Sequence, residues 1–425
     1  MLKLNKIILP EKWVNGILLF WGIWFVCMLA FTKYATSMSI IGFGVLAFYQ
    51  IVTHYQSPIW LHLKKWLGVN RISVGFFALT IIFWIVVFGF FNSENIQYWL
   101  SRVRIRLPFL ALPIAFYWIP WNEKSRRIIV LLAIFLMFCS STFVAIRYLL
   151  NFDEMNELLK RGSPIPVPMK DHIRYAQLQS FTLLSGIYWV FKDKNLSVFL
   201  KYFVWFCLGM IFFYIHLFAV RSGLLIMYTG LVVFAVLHLK KMSKAQLLMI
   251  IGLFFGTAFL AVKFIPSLEH KLGYMMWEYK EYKAGNPLNN SDSGRRISYE
   301  VGLKLYKEEP IFGVGPGDLD DKVKAIYSRD YPSVEQPKQP HNQFLHTLVC
   351  SGWVGLTIFC LMWMVLLIFA KRNQNTILIT LIFATFASFL VESPLETARG
   401  TALIGFWLSF WLGEGISTER QFRPG

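Results

Sequence analysis

About twelve long apolar runs punctuate the chain, at residues 13–31, 38–53, 73–91, 99–119, 128–148, 176–191, 198–217, 222–238, 245–264, 342–370, 376–391 and 400–413. A helix that crosses a bilayer needs roughly 20 apolar residues, so most of these runs qualify and a few are marginal. With 56% hydrophobic residues and a mean hydropathy of +0.51, no water-soluble domain of 425 residues could bury them. The expected fold is an all-α polytopic membrane protein with about 12 transmembrane helices. The first run is too long for a signal-peptide core and no small-residue cleavage pattern follows it, so no cleavable signal is expected. A net charge of +18 suggests nucleic acid, but most of it falls in short loops between apolar runs. There it reads as topology and lipid-headgroup contact, with no nucleic-acid partner. All five cysteines lie in apolar runs without metal-ligand spacing, which reads as inert buried thiols.

The loops alternate in charge. One set carries Lys3, Lys6 and Lys12, then Lys64, Lys65 and Arg71, Lys124, Arg126 and Arg127, Lys192 and Lys194, Lys240, Lys241 and Lys244, Lys371 and Arg372, Arg420 and Arg423. The other set is poorer in Lys and Arg and includes the longer segments 149–175 and 265–341. The positive-inside rule then places both termini in the cytoplasm and the long loop outside. Three parts follow: helices one to nine over 1–264, an outer helical loop over 265–341 between helices nine and ten, and helices ten to twelve with a cytoplasmic tail over 342–425. Basic residues on the outer side need another reason: Arg102, Arg104 and Arg106, Arg147, Lys160, Arg161, Lys170 and Arg174, Arg221, Arg295 and Arg296, and Arg399. Any one of them could snorkel to lipid phosphate. As a converging set they would form a pocket for a pyrophosphate.

The long loop carries its own helical signals. Residues 267–283 read as a helix ending at Gly285 and Pro287, with Trp277, Tyr279 and Tyr282 near the interface. Asp292 or Ser293 can cap a second helix to Glu308, with Ile297, Val301 and Leu305 on one stripe and a Glu300–Lys304 pair beside it. Gly313-Val314-Gly315-Pro316-Gly317 reads as a tight bend rather than a phosphate loop, since no Lys follows it. Asp318 and Asp321 open a third helix in capping-box style. The loop closes on Pro340-His341-Asn342 at the head of the tenth run. Pro340 favours a helix start there, so His341 is expected in the first turn. The helix dipole and nearby arginines would then disfavour its imidazolium, leaving a neutral general base. Asn342 could hold a substrate oxygen. His172 is either a second catalytic group or a helix-capping residue beside Asp171. Glu392 and Glu396, in the last outer connector, either orient His341 and pair with an arginine or form a solvated turn. His341 and His346 are five apart and fall on different helix faces, which argues against a metal site.

These residues resemble the O-antigen ligase and polymerase superfamily of envelope glycosyltransferases. His341-Asn342, nine residues, Gly352, two residues and Gly355 resemble its ligase signature; Val220-Arg221-Ser222-Gly223 resembles its arginine turn. Gly294-Arg295-Arg296 and the 310–318 stretch resemble its outer-loop pattern, while the first 100 residues match only in hydropathy. The resemblance implies a GT-C-type, inverting, metal- and cofactor-independent transferase of the bacterial inner membrane with its site on the periplasmic face. The donor would be a glycan on undecaprenyl pyrophosphate and the acceptor a lipid A–core sugar hydroxyl. His341 would be the base, and Arg221 and Arg295 the pyrophosphate holders. Arg174, and less directly Arg102, Arg104 and Arg106, join them by charge and side; Arg296 would support. A polymerase or a protein O-oligosaccharyltransferase shares the pattern. A twelve-span transporter fits less well: the halves show no repeat, and the ionisable groups gather at one face.

Overall fold

The computed structural model describes residues 10–31, 35–54, 71–119, 121–168, 170–238, 263–284 and 291–414, with positions 252, 256 and 260. The described residues form α-helices and short 3-10 turns: α1 Glu11–Phe31, α2 Ala35–His54, α3 Arg71–Phe88, α4 Ile96–Arg106, α5 Pro108–Trp118, α6 Glu123–Leu150, α7 Phe152–Lys160, α8 His172–Lys192, α9 Val198–Leu217, α10 Arg221–His238, α11 Pro266–Lys283, α12 Ser291–Glu308, α13 Leu319–Asp330, α14 Gln343–Arg372, α15 Thr376–Val391 and α16 Ala398–Leu412. Most of the ninth expected run, 245–264, and the expected stop at Gly285 and Pro287 lie outside the described residues.

Among the described residues, six helices are long and apolar enough to cross a membrane: α1, α3, α6, α9, α10 and α14. Two shorter apolar helices accompany them, at Ser37–Gln50 and Thr376–Val391. The molecule is a helical multi-pass membrane protein. Two further expected runs take other forms, for physical reasons. The run at 99–119 breaks into α4 and α5 because Pro108 occupies the first position of α5. The run at 176–191 becomes α8, whose residues 174–186 are continuously buried. Enclosed by protein, α8 needs no apolar coat. It uses polar side chains inside: Gln179 donates to Ser141 Oγ at 2.8 Å, and the Ser140 and Tyr175 hydroxyls meet at 2.8 Å.

The core centres on α16. Every residue from Arg399 to Leu412 is buried, as expected for a helix that is apolar on all sides. Its aromatic face stacks through Phe406 on Phe25 of α1 at 4.4 Å, while Trp411 meets Tyr188 of α8 edge-on at 5.2 Å. Contacts between helix ends mark two opposite ends of the bundle. The far end joins the C-terminal end of α8 to the start of α6 through Lys192 and Glu123, 3.4 Å apart. At the opposite end the starts of α8, α10, α14 and α16 and the end of α15 come together, and the long loop lies there.

That loop has a small core of its own. Ile297, Val301 and Leu305 of α12, the expected stripe, pack with Val323, Ile326 and Tyr327 of α13 and with Val349 of α14. Each such side chain, fully buried, contributes about 1.5–3 kcal/mol. The expected caps are replaced. Glu278 of α11 accepts from the amides of Asp292 and Ser293 at 2.7 and 2.8 Å, which frees the Asp292 side chain for other partners. Asp318 makes no cap bond; its carboxylate takes the amides of Glu94 and Asn95, at 2.9 and 2.8 Å, in the α3–α4 corner. Lys304 reaches Asp330 at 2.8 Å, and the carboxylate of Glu300, its expected partner, accepts from the Tyr331 hydroxyl at 2.6 Å.

Candidate active site

The site begins with a break in a helix. α14 is interrupted at Gly352, whose φ of 60° and ψ of −165° lie outside the range open to side-chain-bearing residues. The backbone groups released by the break are taken by the 310–315 turn. Val314 and Gly315 donate to the carbonyls of Val349 and Cys350 at 2.9 and 3.1 Å; Trp353 and Val354 donate to those of Pro310 and Ile311 at 3.0 and 3.2 Å. The contact is too close for a side chain on either partner. A Cβ on Gly352 would meet Ile311 O at 2.1 Å, and one on Gly313 would meet the Cys350 carbonyl carbon at 2.4 Å. The glycine-rich bend and the glycine that follows His341-Asn342 by nine residues are therefore two halves of one joint.

The half-helix upstream of the break starts at Gln343, with Asn342 as its cap. His341 thus precedes the helix instead of lying in its first turn, because Asn342 is the better capping residue. The Asn342 carboxamide is spent on structure: Oδ1 accepts from Leu345 N at 3.0 Å and Nδ2 donates to Leu390 O at 3.1 Å. That argues against its expected hold on a substrate oxygen. The backbone of His341 is pinned by α12, its amide donating to Ser298 Oγ at 3.3 Å and its carbonyl accepting from the Tyr299 hydroxyl at 3.0 Å.

Two charged clusters surround this start, one on each glutamate of the 392–397 connector. The first is a ladder. Arg221, at the head of α10, donates through both terminal nitrogens to Asp292, at 2.6 and 2.7 Å. Arg295 reaches back to Asp292 at 3.3 Å and forward to Glu392 Oε1 at 2.5 Å. The other oxygen of Glu392 lies 3.4 Å from His341 Nδ1. Arg174 is buried nearby, with Nε 3.3 Å from Thr397 Oγ1 and Nη1 3.4 Å from Gln177 Oε1. Burial pushes the Glu392 carboxyl up, but the His341 hydrogen bond and the charges of Arg295 and Arg174 outweigh it and hold it at about 2. Asp292 is likewise held below the usual carboxylate range: Arg221 and Arg295 overcome its burial. A carboxylate can only accept, so the hydrogen of this contact lies on His341 Nδ1, and Nε2 is the ring nitrogen turned away from Glu392.

The second cluster hangs on Glu396, which pairs with Arg106 and accepts from Gln343 Nε2 at 2.9 Å. His346 Nδ1 lies 3.2 Å from the same oxygen, and its Nε2 lies 3.2 Å from Gln339 Oε1. Arg102 stacks over Tyr98 at 4.8 Å and donates to Glu396 O at 3.4 Å. Burial raises the Glu396 carboxyl, and Arg106 and His346 bring it down to about 2.

Several expected site residues therefore separate. Arg102 and Arg106 do not join the Arg221–Arg295 ladder; their α4 face is turned to Glu396. Arg104 is exposed on another face of α4. Arg296 is exposed and stacks over Tyr279 at 5.0 Å, because it is one residue round the helix from Arg295. His172 follows the capping Asp171, whose carboxylate accepts from Arg174 N at 3.1 Å, and the hydrogen bonds of His341 and Glu392 run to other residues. Glu392 and Glu396 are not a solvated turn: Glu392 is buried, the Glu396 side chain is only 10% exposed, and each takes a separate histidine and arginine.

Other members of the site carry no signal in the sequence pattern. Gln343 is fully buried and clamps the connector, accepting from Leu395 N at 3.0 Å while donating to Glu396. Lys271 of α11 donates to Gly162 O at 2.7 Å, and Lys338 crosses Gly294. Burial lowers both ammonium groups, with Arg221 adding to it at Lys271 and Arg295 at Lys338. In a polar loop every lysine looks solvated, so position alone does not single these two out. Among the described residues, no group of three or more His, Cys, Asp or Glu is arranged to hold a metal ion.

The fold and site together define a polytopic helical membrane protein with a histidine–carboxylate–arginine ladder at one end of the bundle. Residues 203–360 match the O-antigen ligase family, so the chain carries that family's segment. The match takes in Arg221, Asp292, Arg295, His341 and the Gly352 joint, and ends before Glu392 and Glu396. No curated protein matches the chain.

Proposed function

We propose that the protein is an O-antigen ligase of the bacterial inner membrane, with GT-C architecture of about 12 spans and its site on the periplasmic face. It transfers a glycan from undecaprenyl pyrophosphate to a hydroxyl of lipid A–core, with inversion and without a metal. The observation that carries this reading is the unbroken ladder Arg221–Asp292–Arg295–Glu392–His341. One end offers a base, the other offers cations, and a buried carboxylate couples the two.

In the proposed reaction Glu392 fixes the Nδ1–H tautomer, and Nε2 of His341 accepts the proton of the acceptor hydroxyl. The acceptor oxygen forms the new bond to the anomeric carbon as the bond to the pyrophosphate oxygen breaks. The leaving pyrophosphate carries away the bond's electron pair. Arg221 and Arg295 stabilise its growing charge; each guanidinium has five N–H donors and spends only two on the ladder, leaving the rest for phosphate oxygens. Arg174, Lys271 and Lys338 add positive potential around them.

A His341→Ala variant is expected to insert and fold but to lose transfer; retained transfer would exclude His341 as the base. In a deletion strain, lipid A–core without long glycan, together with accumulated lipid-linked polymer, identifies a ligase. Lipid A–core bearing a single repeat identifies a polymerase instead.

A further inference from the structure

Near the Arg221 end of the ladder the outer surface holds an open groove of about 840 Å³. It is lined by Lys160 and Arg161 at the end of α7, and by Glu269, His270, Tyr274 and Trp277 along α11; Lys160 is paired with Glu157 at 2.7 Å, while Arg161 and His270 share the lining with Glu269. The aromatic wall is rigid. Tyr274 and Trp277 lie 5.5 Å apart, and Gly162 presses on the Tyr274 ring so closely that a Cβ there would meet it at 2.5 Å. Trp277 stays 46% exposed. Lys271 ties the groove to the ladder: it bonds Gly162 O, sits 5.9 Å from the Tyr274 ring centre, and feels the charge of Arg221.

The floor of the groove is Gly273. A glycine inside a helix costs about 0.5–1 kcal/mol relative to alanine. Nothing lies within 4 Å of the place where its Cβ would be, so tight packing does not explain it. What the missing side chain leaves is space, beside two cationic side chains, the half-buried Tyr274 ring and the exposed Trp277 ring. Aromatic faces stack on the apolar faces of sugar rings, and cations select the sugars that carry carboxylate or phosphate.

We propose that this groove binds an acidic sugar of the donor glycan. The assignment to the donor rests on the proposed pyrophosphate site. The acceptor hydroxyl must arrive at His341, at the other end of the ladder, whereas the groove lies near the Arg221 end, where the donor's pyrophosphate is held.

The test is calorimetric titration of the full-length protein in nanodiscs with trigalacturonic acid, maltotriose, inorganic phosphate and inorganic pyrophosphate. Trigalacturonic acid is expected to bind at least tenfold tighter than uncharged maltotriose. Gly273→Leu, which fills the floor without a backbone clash, and Lys160→Glu/Arg161→Glu should each weaken that binding at least tenfold and leave pyrophosphate binding unchanged. Arg221→Ala should do the reverse. Equal binding of maltotriose, no binding of the acid, or indifference to Gly273→Leu overturns the groove. So does inorganic phosphate binding as well as the trimer, which would make it a surface for lipid phosphate. A protein that binds the trimer in the groove but no pyrophosphate overturns the Arg221–Arg295 assignment instead, and the groove stands as an acidic-saccharide site.

Discussion

Replacing Glu392 with Gln tests the coupling at the heart of the site. The side chain is 4% exposed and touches His341, Arg295 and the field of Arg174. Gln keeps the shape and removes the charge, so two things change. The amide can donate as well as accept, so Nδ1–H of His341 is no longer enforced, and the imidazolium of the proposed transition state loses its counter-charge. General-base assistance contributes about 10²–10⁴ in rate, and losing its orientation should remove a large part of that. The expected fall in kcat is about 10²–10³, or about 3–4 kcal/mol, with donor KM moved less than about threefold. Stability also falls. Arg295 keeps Asp292 but loses its ion pair with Glu392, Arg174 loses a nearby negative charge, and breaking a buried pair costs about 3–5 kcal/mol. The assay is transfer of labelled lipid-linked glycan by purified protein in nanodiscs, with a melting curve beside it. The decisive control is the double variant with His341→Ala. If Glu392 works through His341, the double variant is no slower than His341→Ala alone. Multiplying losses, or a Gln variant within about threefold of the wild-type rate, would refute the coupling.

Other expectations follow from the same geometry. Gly352→Ala forces a Cβ onto Ile311 O and a strained φ, and should cost about 2–6 kcal/mol by melting curve. Glu396→Gln strands the buried Arg106 guanidinium and should cost about 3–5 kcal/mol, again by melting curve, while pyrophosphate binding stays unchanged. Glu392 and Glu396 both sit at about 2 in the folded protein, below the ordinary glutamate value of 4.5. Their contribution is therefore complete above pH 4.5 and lost as pH falls from there towards 2, each carboxylate giving up about 1.4 kcal/mol for every pH unit crossed. Melting temperature should be flat in this respect from pH 8 to 5 and drop steeply below, and the two Gln variants should each flatten that drop.

Much of the scaffold is legible in the sequence because lipid and protein core both demand apolar runs with few charges. α9 and α15 start and stop where their runs do. The exceptions are informative. α8 carries Gln177, Gln179 and Ser180 inside the bundle, so its hydropathy understates its burial. α4 and α5 form one run by hydropathy, and Pro108 divides it. At the site, the pattern of charges shows which side of the membrane a residue faces but not its lateral position. Charge alone therefore groups Arg102 with Arg295, although each belongs to a different glutamate. Capping residues mislead for a related reason. Asp292 can cap a helix only if nothing better competes for it, and Arg221, 71 residues away, does. The two roles of Gln343 and the approach of Lys271 and Lys338 depend on contacts between distant segments, which spacing alone does not encode.

The joint at Gly352 has a consequence for traffic. Peeling the 310–315 turn off α14 would strand the donors and acceptors of four backbone hydrogen bonds. Even with water taking the freed groups, four bonds at about 0.5–1.5 kcal/mol net each keep the joint shut almost all the time. At this joint the outer loop and the tenth expected run move as one piece, so a substrate of the proposed reaction would have to reach His341 by a route other than between the 310–315 turn and α14.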